Sequence, residues 1–172
     1  VGDVLPAFSL PNQDGAAVSS AALLEKGPLV VSFFRGVWCP YCNIELKALA
    51  RATPDFEEVG ASLVAVSPQT PDWAARTRKT NDLTVDVLSD AGNAYAATLG
   101  LRFNLPDTIR DIYTNIAKIE LPRYNGDPSW TLPMPARLVI GRDGVIAATD
   151  INPDYTHRPD PSETLAIVRD LA

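Results

Sequence analysis

The sequence predicts an α/β domain in three layers, with a mostly parallel sheet held between helices. Three observations carry this. Short apolar, β-branched runs alternate with segments of helical periodicity. The runs are apolar on both faces, as strands buried between two helical layers are. Near the C-terminus, Gly141-Arg142-Asp143-Gly144 carries the Asp-Gly signal of a tight hairpin. At 172 residues the chain is long enough for one domain with a real core and short for two. Residues 1–172 are therefore read as a single domain.

The elements follow in order. Leu29-Val30-Val31-Ser32-Phe33-Phe34 reads as a central strand. From Pro40 to about Val59 the pattern is helical, with Ile44, Ala48 and Leu49 on one face. Pro54 is expected to split this helix, because proline removes an amide donor and crowds the preceding turn. Residues 61–66 form a second buried strand, closed by Ser67-Pro68. Residues 72–81 read as a short exposed helix and 85–88 as a third strand. Residues 93–99 read as a helix ended by Gly100. Strands at 137–140 and 145–148 flank the Asp-Gly turn, and 162–171 is a terminal amphipathic helix with Pro161 near its start. Residues 101–134 interrupt this order as an insertion, with a helix at 107–119 and then a loop rich in Pro, Gly and Trp. A loop of that length usually covers a site or an interface.

Composition removes several function classes. The net charge is -6, which argues against a nucleic-acid partner. No stretch approaches the roughly 18–20 apolar residues of a membrane span, so no membrane partner is expected. The two cysteines lie three apart and would close a loop too small to staple a fold. This usage points to a reactive pair in a reducing compartment, hence to a cytoplasmic location. Zinc binding needs about four N, S or O ligands. The only histidine, His157, stands in a loop among Asp and Arg and reads as a surface residue. No metal and no cofactor is expected.

The chemistry is concentrated in Cys39-Pro40-Tyr41-Cys42, where a strand gives way to a helix. Unpaired amides and the dipole at a helix N-terminus favour thiolate over thiol. The two-residue spacing lets the second sulfur reach the first across one turn. Cys39 is read as the more exposed, lower-pKa thiol that attacks, and Cys42 as the thiol that resolves the product. Pro40 suits the first helical turn, where its missing N–H costs nothing. Trp38 either shields the thiol from water or is core. Arg35 either stabilises a thiolate or an anionic substrate, or is a solvated loop charge. Glu45 is a proton carrier or, on the preferred reading, a charge near the helix start.

Several motifs together carry a family resemblance. Leu5-Pro6-Ala7-Phe8-Ser9-Leu10, Asp14-Gly15 and the run from Leu29 to Cys42 resemble the alkyl hydroperoxide reductase and thiol-specific antioxidant superfamily. Tyr124-Asn125-Gly126, Trp130 to Pro135, and Asp154-Tyr155 with Arg158 and Pro161 resemble its C-x-x-C-bearing, peroxiredoxin-like subgroup. The resemblance implies a thioredoxin-like α/β/α domain with a peroxiredoxin-type N-terminal extension and the insertion at 101–134. It implies an antioxidant thiol oxidoreductase that reduces hydroperoxides through Cys39 and Cys42, served by a thioredoxin- or glutathione-type reductant. A homodimer is left open.

Laid on the family pattern P-x-x-x-T-x-x-C, Cys42 takes the peroxidatic position and Glu45 the Glu that often follows it. Cys39 then stands at the Thr position and Arg35 at the Pro position. Pro135 stands at the family's Arg position, which is also where thioredoxins keep a cis-proline. Arg137, two residues on, is not expected to point at the site. The Met134–Pro135 bond is accordingly expected to be cis and packed against the dithiol, with Met134 and Pro135 supporting the site. Ser32 stands where thioredoxins bury a carboxylate. Two other functions are compatible with these residues: a protein disulfide reductase, and a thioredoxin-like binding module with incidental thiols. The insertion at 101–134 is expected to fold over the redox face.

Overall fold

The computed structural model describes residues 1–171. The chain opens with a small antiparallel pair, β1 (Ser9–Pro11) and β2 (Ala17–Ser19), followed by α1 (Ser20–Leu24). Then come β3 (Leu29–Phe33), α2 (Pro40–Glu58), β4 (Ser62–Ser67), α3 (Pro71–Thr80), β5 (Asp86–Ser89) and α4 (Ala94–Thr98). The insertion holds β6 (Arg102–Asn104), α5 (Asp107–Asp111), a π turn over Ile112–Ile116, α6 (Leu121–Asn125) and β7 (Thr131–Pro133). The chain closes with β8 (Ala136–Ile140), β9 (Ile146–Ile151) and α7 (Pro161–Arg169).

Five strands form the central sheet in the order β5-β4-β3-β8-β9. The β3–β4 and β4–β5 pairs are parallel, and β8 runs antiparallel to β3 and β9. Alternation along β3 separates the two faces. Leu29, Val31 and Phe33 enter a core with Leu138, Ile140 and Tyr95. Val30 faces Leu49 and Phe56 of α2 and Leu165 and Val168 of α7. Phe34, just past the strand end, joins a third cluster with Cys39, Cys42 and Leu46. The three-layer expectation is met. Among the described residues, no helix is long and apolar enough to cross a membrane.

Four expectations need correction. α2 runs unbroken through Pro54. The residue before the proline helps, because the Thr53 hydroxyl donates to Leu49 O at 2.9 Å beside the lost amide bond. The face carrying Leu49, Thr53 and Phe56 stays buried, which outweighs the ~3 kcal/mol that a helical proline costs. Second, that buried face holds Cys42, Glu45, Leu46, Leu49, Thr53 and Phe56, whereas Ile44 is 67% exposed. Third, the described residues contain no cis peptide bond, so Met134–Pro135 is trans. The chain runs on from β7 into β8, and no reversal there calls for a cis bond. Fourth, Met134 packs with the Leu29, Val31 and Phe33 core and not with the cysteine cluster. Sequence reading also passed over the β6–β7 pair, in which Arg102 to Asn104 zip against Pro133 to Thr131. This short ladder closes the base of the insertion.

Candidate active site

The chain leaves β3 through Phe34, whose amide still donates to Val66 O at 3.0 Å. It then makes a tight loop, Arg35 to Trp38, before α2. Gly36 permits that loop: a Cβ there would fall 2.4 Å from Trp38 Nε1. Gln69, fully buried and held by Ser67 and Thr77, accepts from the Val37 amide at 2.9 Å. The Asn43 side chain donates to Val37 O at 2.6 Å and is itself bonded by Asn81. The loop is thus pinned from two sides before the cysteines are reached.

Cys39 is the N-cap of α2, with extended backbone angles, and its carbonyl accepts the first helical bond from Asn43 at 3.1 Å. Pro40 stands in the first turn, as expected, and is exposed. Cys42 lies one turn in, on the buried face. Both thiols are free and both are 0% exposed, so Cys39 is not the more exposed of the two.

The two sulfurs are nonetheless different. Arg35 Nη2 donates to Cys39 Sγ at 3.1 Å. The hydrogen bond from the Cys42 thiol and the charge of Arg35 hold Cys39 at about 5, against burial, which opposes them. Cys42 is pushed well above the ordinary thiol range by the same hydrogen bond and by burial. One thiolate shared by the pair settles on Cys39.

Arg35 is therefore no solvated loop charge. It is buried, and it is enclosed by aromatic rings. Its guanidinium lies 4.0 Å from the Tyr155 ring centre and 5.5 Å from that of Trp38. Nη1 donates to Tyr113 Oη at 3.3 Å. Trp38 packs edge-on to Tyr113 at 5.4 Å, and Tyr41 packs edge-on to Tyr155 at 5.6 Å. Tyr113 belongs to the insertion, and Tyr155 to the segment between β9 and α7. The insertion does reach the redox face. Its own small core of Leu105, Leu121 and Leu132 seats Trp38 and Tyr113.

Beneath the dithiol lies an ion-pair cluster. Glu45 is buried, so the reading of it as a helix-start charge is corrected. Arg137 Nη2 donates to its Oε1 at 2.8 Å, and Arg158 Nε stands 2.9 Å from Oε2. Ser32 Oγ lies 3.5 Å from Oε1, so the central strand offers a hydroxyl to the carboxylate that α2 supplies. Arg158 also reaches the dithiol, with Nη2 3.6 Å from Cys42 Sγ. Arg137 is further held by Pro159 O and Thr164 Oγ1 at 3.1 and 3.0 Å. It points into the site after all, through Glu45.

The structure gathers Arg35, Trp38, Cys39, Tyr41, Cys42 and Glu45 around one centre. It leaves Met134 on the other sheet face and His157 exposed. Sequence reasoning placed the insertion that carries Tyr113 over the redox face, but it missed the bond of Tyr113 to Arg35, Tyr155 as a roof residue, and Arg137 and Arg158 as the partners of Glu45. One signal was available: a glutamate on the apolar face of a helix demands a cation, and Arg137 precedes an apolar strand stretch.

A reactive dithiol at a helix N-terminus, on a central sheet flanked by helices, defines a thioredoxin-fold thiol oxidoreductase. Its particular lineage follows from comparison. The AhpC/TSA family model matches residues 1–149, and the chain belongs to that family. It is an antioxidant, thiol-dependent oxidoreductase of the peroxiredoxin class. A candidate peroxiredoxin of Mycobacterium tuberculosis is 31% identical over 104 residues, which are 60% of this chain and 68% of that protein. Chloroplastic peroxiredoxin Q of Gentiana triflora is 31% identical over 108 residues, 63% of this chain and 49% of the relative. The chain thus spans about half the length of that protein. The crystal structure of peroxidoxin BcpB from Mycobacterium tuberculosis superposes with a TM-score of 0.79 at 22% identity, covering 99% of this chain and 97% of the other.

Proposed function

We propose that this protein reduces hydroperoxides at Cys39, resolves the product with Cys42, and is recharged by a thioredoxin-type dithiol in the cytoplasm. The observation that carries this reading is the contact of Arg35 Nη2 with Cys39 Sγ at 3.1 Å, which pairs a thiolate with a fixed cation. The Cys39 thiolate attacks one peroxide oxygen. The O–O bond breaks, an S–O bond forms, and the alkoxide leaves and takes a proton to become the alcohol. The Cys42 thiol then attacks the sulfenic sulfur. An S–S bond forms, and hydroxide departs with the Cys42 proton as water. An external dithiol returns two electrons and two protons by exchange through a mixed disulfide.

The test is stopped-flow oxidation of the reduced protein by hydrogen peroxide, an organic hydroperoxide and a model disulfide in parallel. Both peroxides should oxidise wild type far faster than free cysteine, and Cys39→Ser should abolish the reaction. Fast reaction with the disulfide alone would replace this reading with a protein disulfide reductase. A substoichiometric iodoacetamide pulse read by mass spectrometry should label Cys39. Label found mainly on Cys42 would transfer the nucleophile to the peroxidatic register of the family.

A further inference from the structure

We propose that the protein carries a second ligand site, outside the dithiol centre, for a small hydrophobic amine bound as its ammonium ion. The site is a cleft of about 630 Å3 between β1, α4 and the ends of β4 and β5. That volume is typical of small-molecule pockets. In α/β sheets, ligands bind outside the carboxyl ends of the strands. Pro68 and Gln69 follow β4 at that place, and Asp90 and Ala91 follow β5. Arg35, Cys39, Cys42 and Glu45 do not line the cleft, so the inference stands apart from the hydroperoxide reading.

The walls are apolar and include Phe8, Leu10, Pro11, Pro71 and Tyr95. Phe8 and Tyr95 meet edge-on at 5.1 Å. Such walls suit a hydrocarbon or aromatic body, and the few polar groups among them choose the head. Asp90 is 2% exposed, and its two oxygens accept the Tyr95 and Ala96 amides, each at 2.8 Å. Among the described residues, no cation lies within ion-pair distance of it. Burial pushes its carboxyl upward against those amide bonds, and Arg102 acts on it only from an exposed position. Each carboxylate oxygen keeps a lone pair with which to accept again. Ser89 Oγ and Asn125 Oδ1, on two further lining residues, are buried without a hydrogen-bond partner. The neighbouring donors are spent: Gln69 Nε2 on Ser67 and Thr77, Tyr95 Oη on Pro6 O, and Thr98 Oγ1 on Tyr95 O. A second carboxylate, Asp127, follows Gly126 of the lining, and a Cβ on Gly92 would fall 3.5 Å from its Oδ2. The cleft thus offers negative charge and acceptors, and its ligand must bring positive charge and donors. An ammonium head brings three N–H donors and one charge, against one buried carboxylate and two unmet acceptors.

The test is calorimetry on the intact reduced protein at neutral pH with three probes that share a phenethyl body. Phenethylammonium carries the charge and the N–H donors, its trimethylammonium analogue the charge alone, and phenethyl alcohol one donor and no charge. The ammonium should bind about tenfold or more tightly than the alcohol, as a charge-assisted bond to a buried carboxylate requires. It should also bind more tightly than the trimethylammonium ion, which leaves Ser89 and Asn125 unmet. Asp90→Asn should remove the preference for the ammonium. Asp90 also holds the start of α4, so this variant is read only where its melting temperature is kept. Ser89→Ala carries the test in either case. It deletes a hydroxyl that bonds nothing in the free protein, and it should weaken the ammonium several-fold. Ala94→Leu, at an exposed lining position of α4, narrows the cleft and should weaken all three probes. The site is overturned if the ammonium does not bind, if it binds no more tightly than the other two probes, or if either Ser89→Ala or Ala94→Leu leaves its binding unchanged. Stopped-flow oxidation of Cys39 reads hydroperoxide reduction separately, so failure of one reading leaves the other standing.

Discussion

Replacing Arg35 by glutamine isolates the largest electrostatic effect acting on Cys39 from outside the dithiol. The guanidinium donates to Cys39 Sγ at 3.1 Å. Losing a hydrogen bond to a charged group costs about 1.5–3 kcal/mol. At about 1.36 kcal/mol per unit, this is a rise of about one to two pKa units. The Cys42 thiol still donates to Cys39, so the midpoint should move from about 5 to no further than about 7. The assay is the pH dependence of Cys39 alkylation, read alongside the ultraviolet absorbance of the thiolate. The variant should alkylate several-fold more slowly near about pH 5.5 and match wild type near about pH 8, where both are ionised. The same shift sets the pH dependence of stability. A thiol depressed in the folded state stabilises it fully above the unfolded pKa of about 8.5, and that contribution is lost as pH falls through about 5. Cys42 titrates above this window. Stability of the reduced protein should therefore rise between these limits, and Cys39→Ser should flatten the rise. An alkylation midpoint for wild type near that of free cysteine, or one that Arg35→Gln leaves in place, would refute the argument.

Other perturbations follow from the same geometry. Glu45→Gln removes the one carboxylate shared by Arg137 and Arg158 and should cost about 3–5 kcal/mol in urea denaturation, as breaking a buried ion pair does. Gly36→Ala places a Cβ 2.4 Å from the Trp38 indole nitrogen. It should destabilise by about 1–3 kcal/mol and shift the tryptophan emission, read by thermal melts and fluorescence. Tyr155→Ala uncovers Arg35 and, with it, Cys39. Alkylation should quicken several-fold at a pH where the thiolate is fully formed, and an unchanged rate would show that Tyr155 does not limit access.

The sheet was legible because its strands are buried on both faces and read as continuous apolar runs. Leu29 to Phe34 and the strand after it needed no partner to be recognised. The dithiol was legible because its chemistry is local: cap, proline and both sulfurs lie within four residues. What escaped is what the fold assembles from a distance. Arg158 stands 113 residues after Glu45, and Tyr113 stands 78 residues after Arg35. The helix face was misread for a related reason. Cys42 and Glu45 are polar by type, yet burial against ion pairs and Phe34 makes them inward residues, and Ile44 is left outside. The cis expectation for Pro135 failed because it was carried from thioredoxins at a position where this chain keeps a trans bond. Here β7 feeds β8 directly.

The exchange of residues at this site follows a rule of charge rather than of register. On the register that the resemblance implies, Arg35, Cys39 and Pro135 stand where the family pattern has Pro, Thr and a distant Arg. A thiolate needs a cation in the absence of water, and Pro135 offers none to the buried sulfurs. Arg35 supplies it from the loop before α2, and Arg158 supplies a second from the segment before α7. The second cation then needs an anion of its own once Cys42 is a neutral thiol. Glu45 on α2 serves it, and Arg137 holds Glu45 in turn. Moving the cation into the Arg35 loop also explains the second cysteine. With Arg35 beside position 39, that position becomes the favourable place for negative charge, and a thiol there ionises where a threonine would only donate. The cation at Arg35 and the thiol at position 39 thus act together, the first making the second a reactive sulfur.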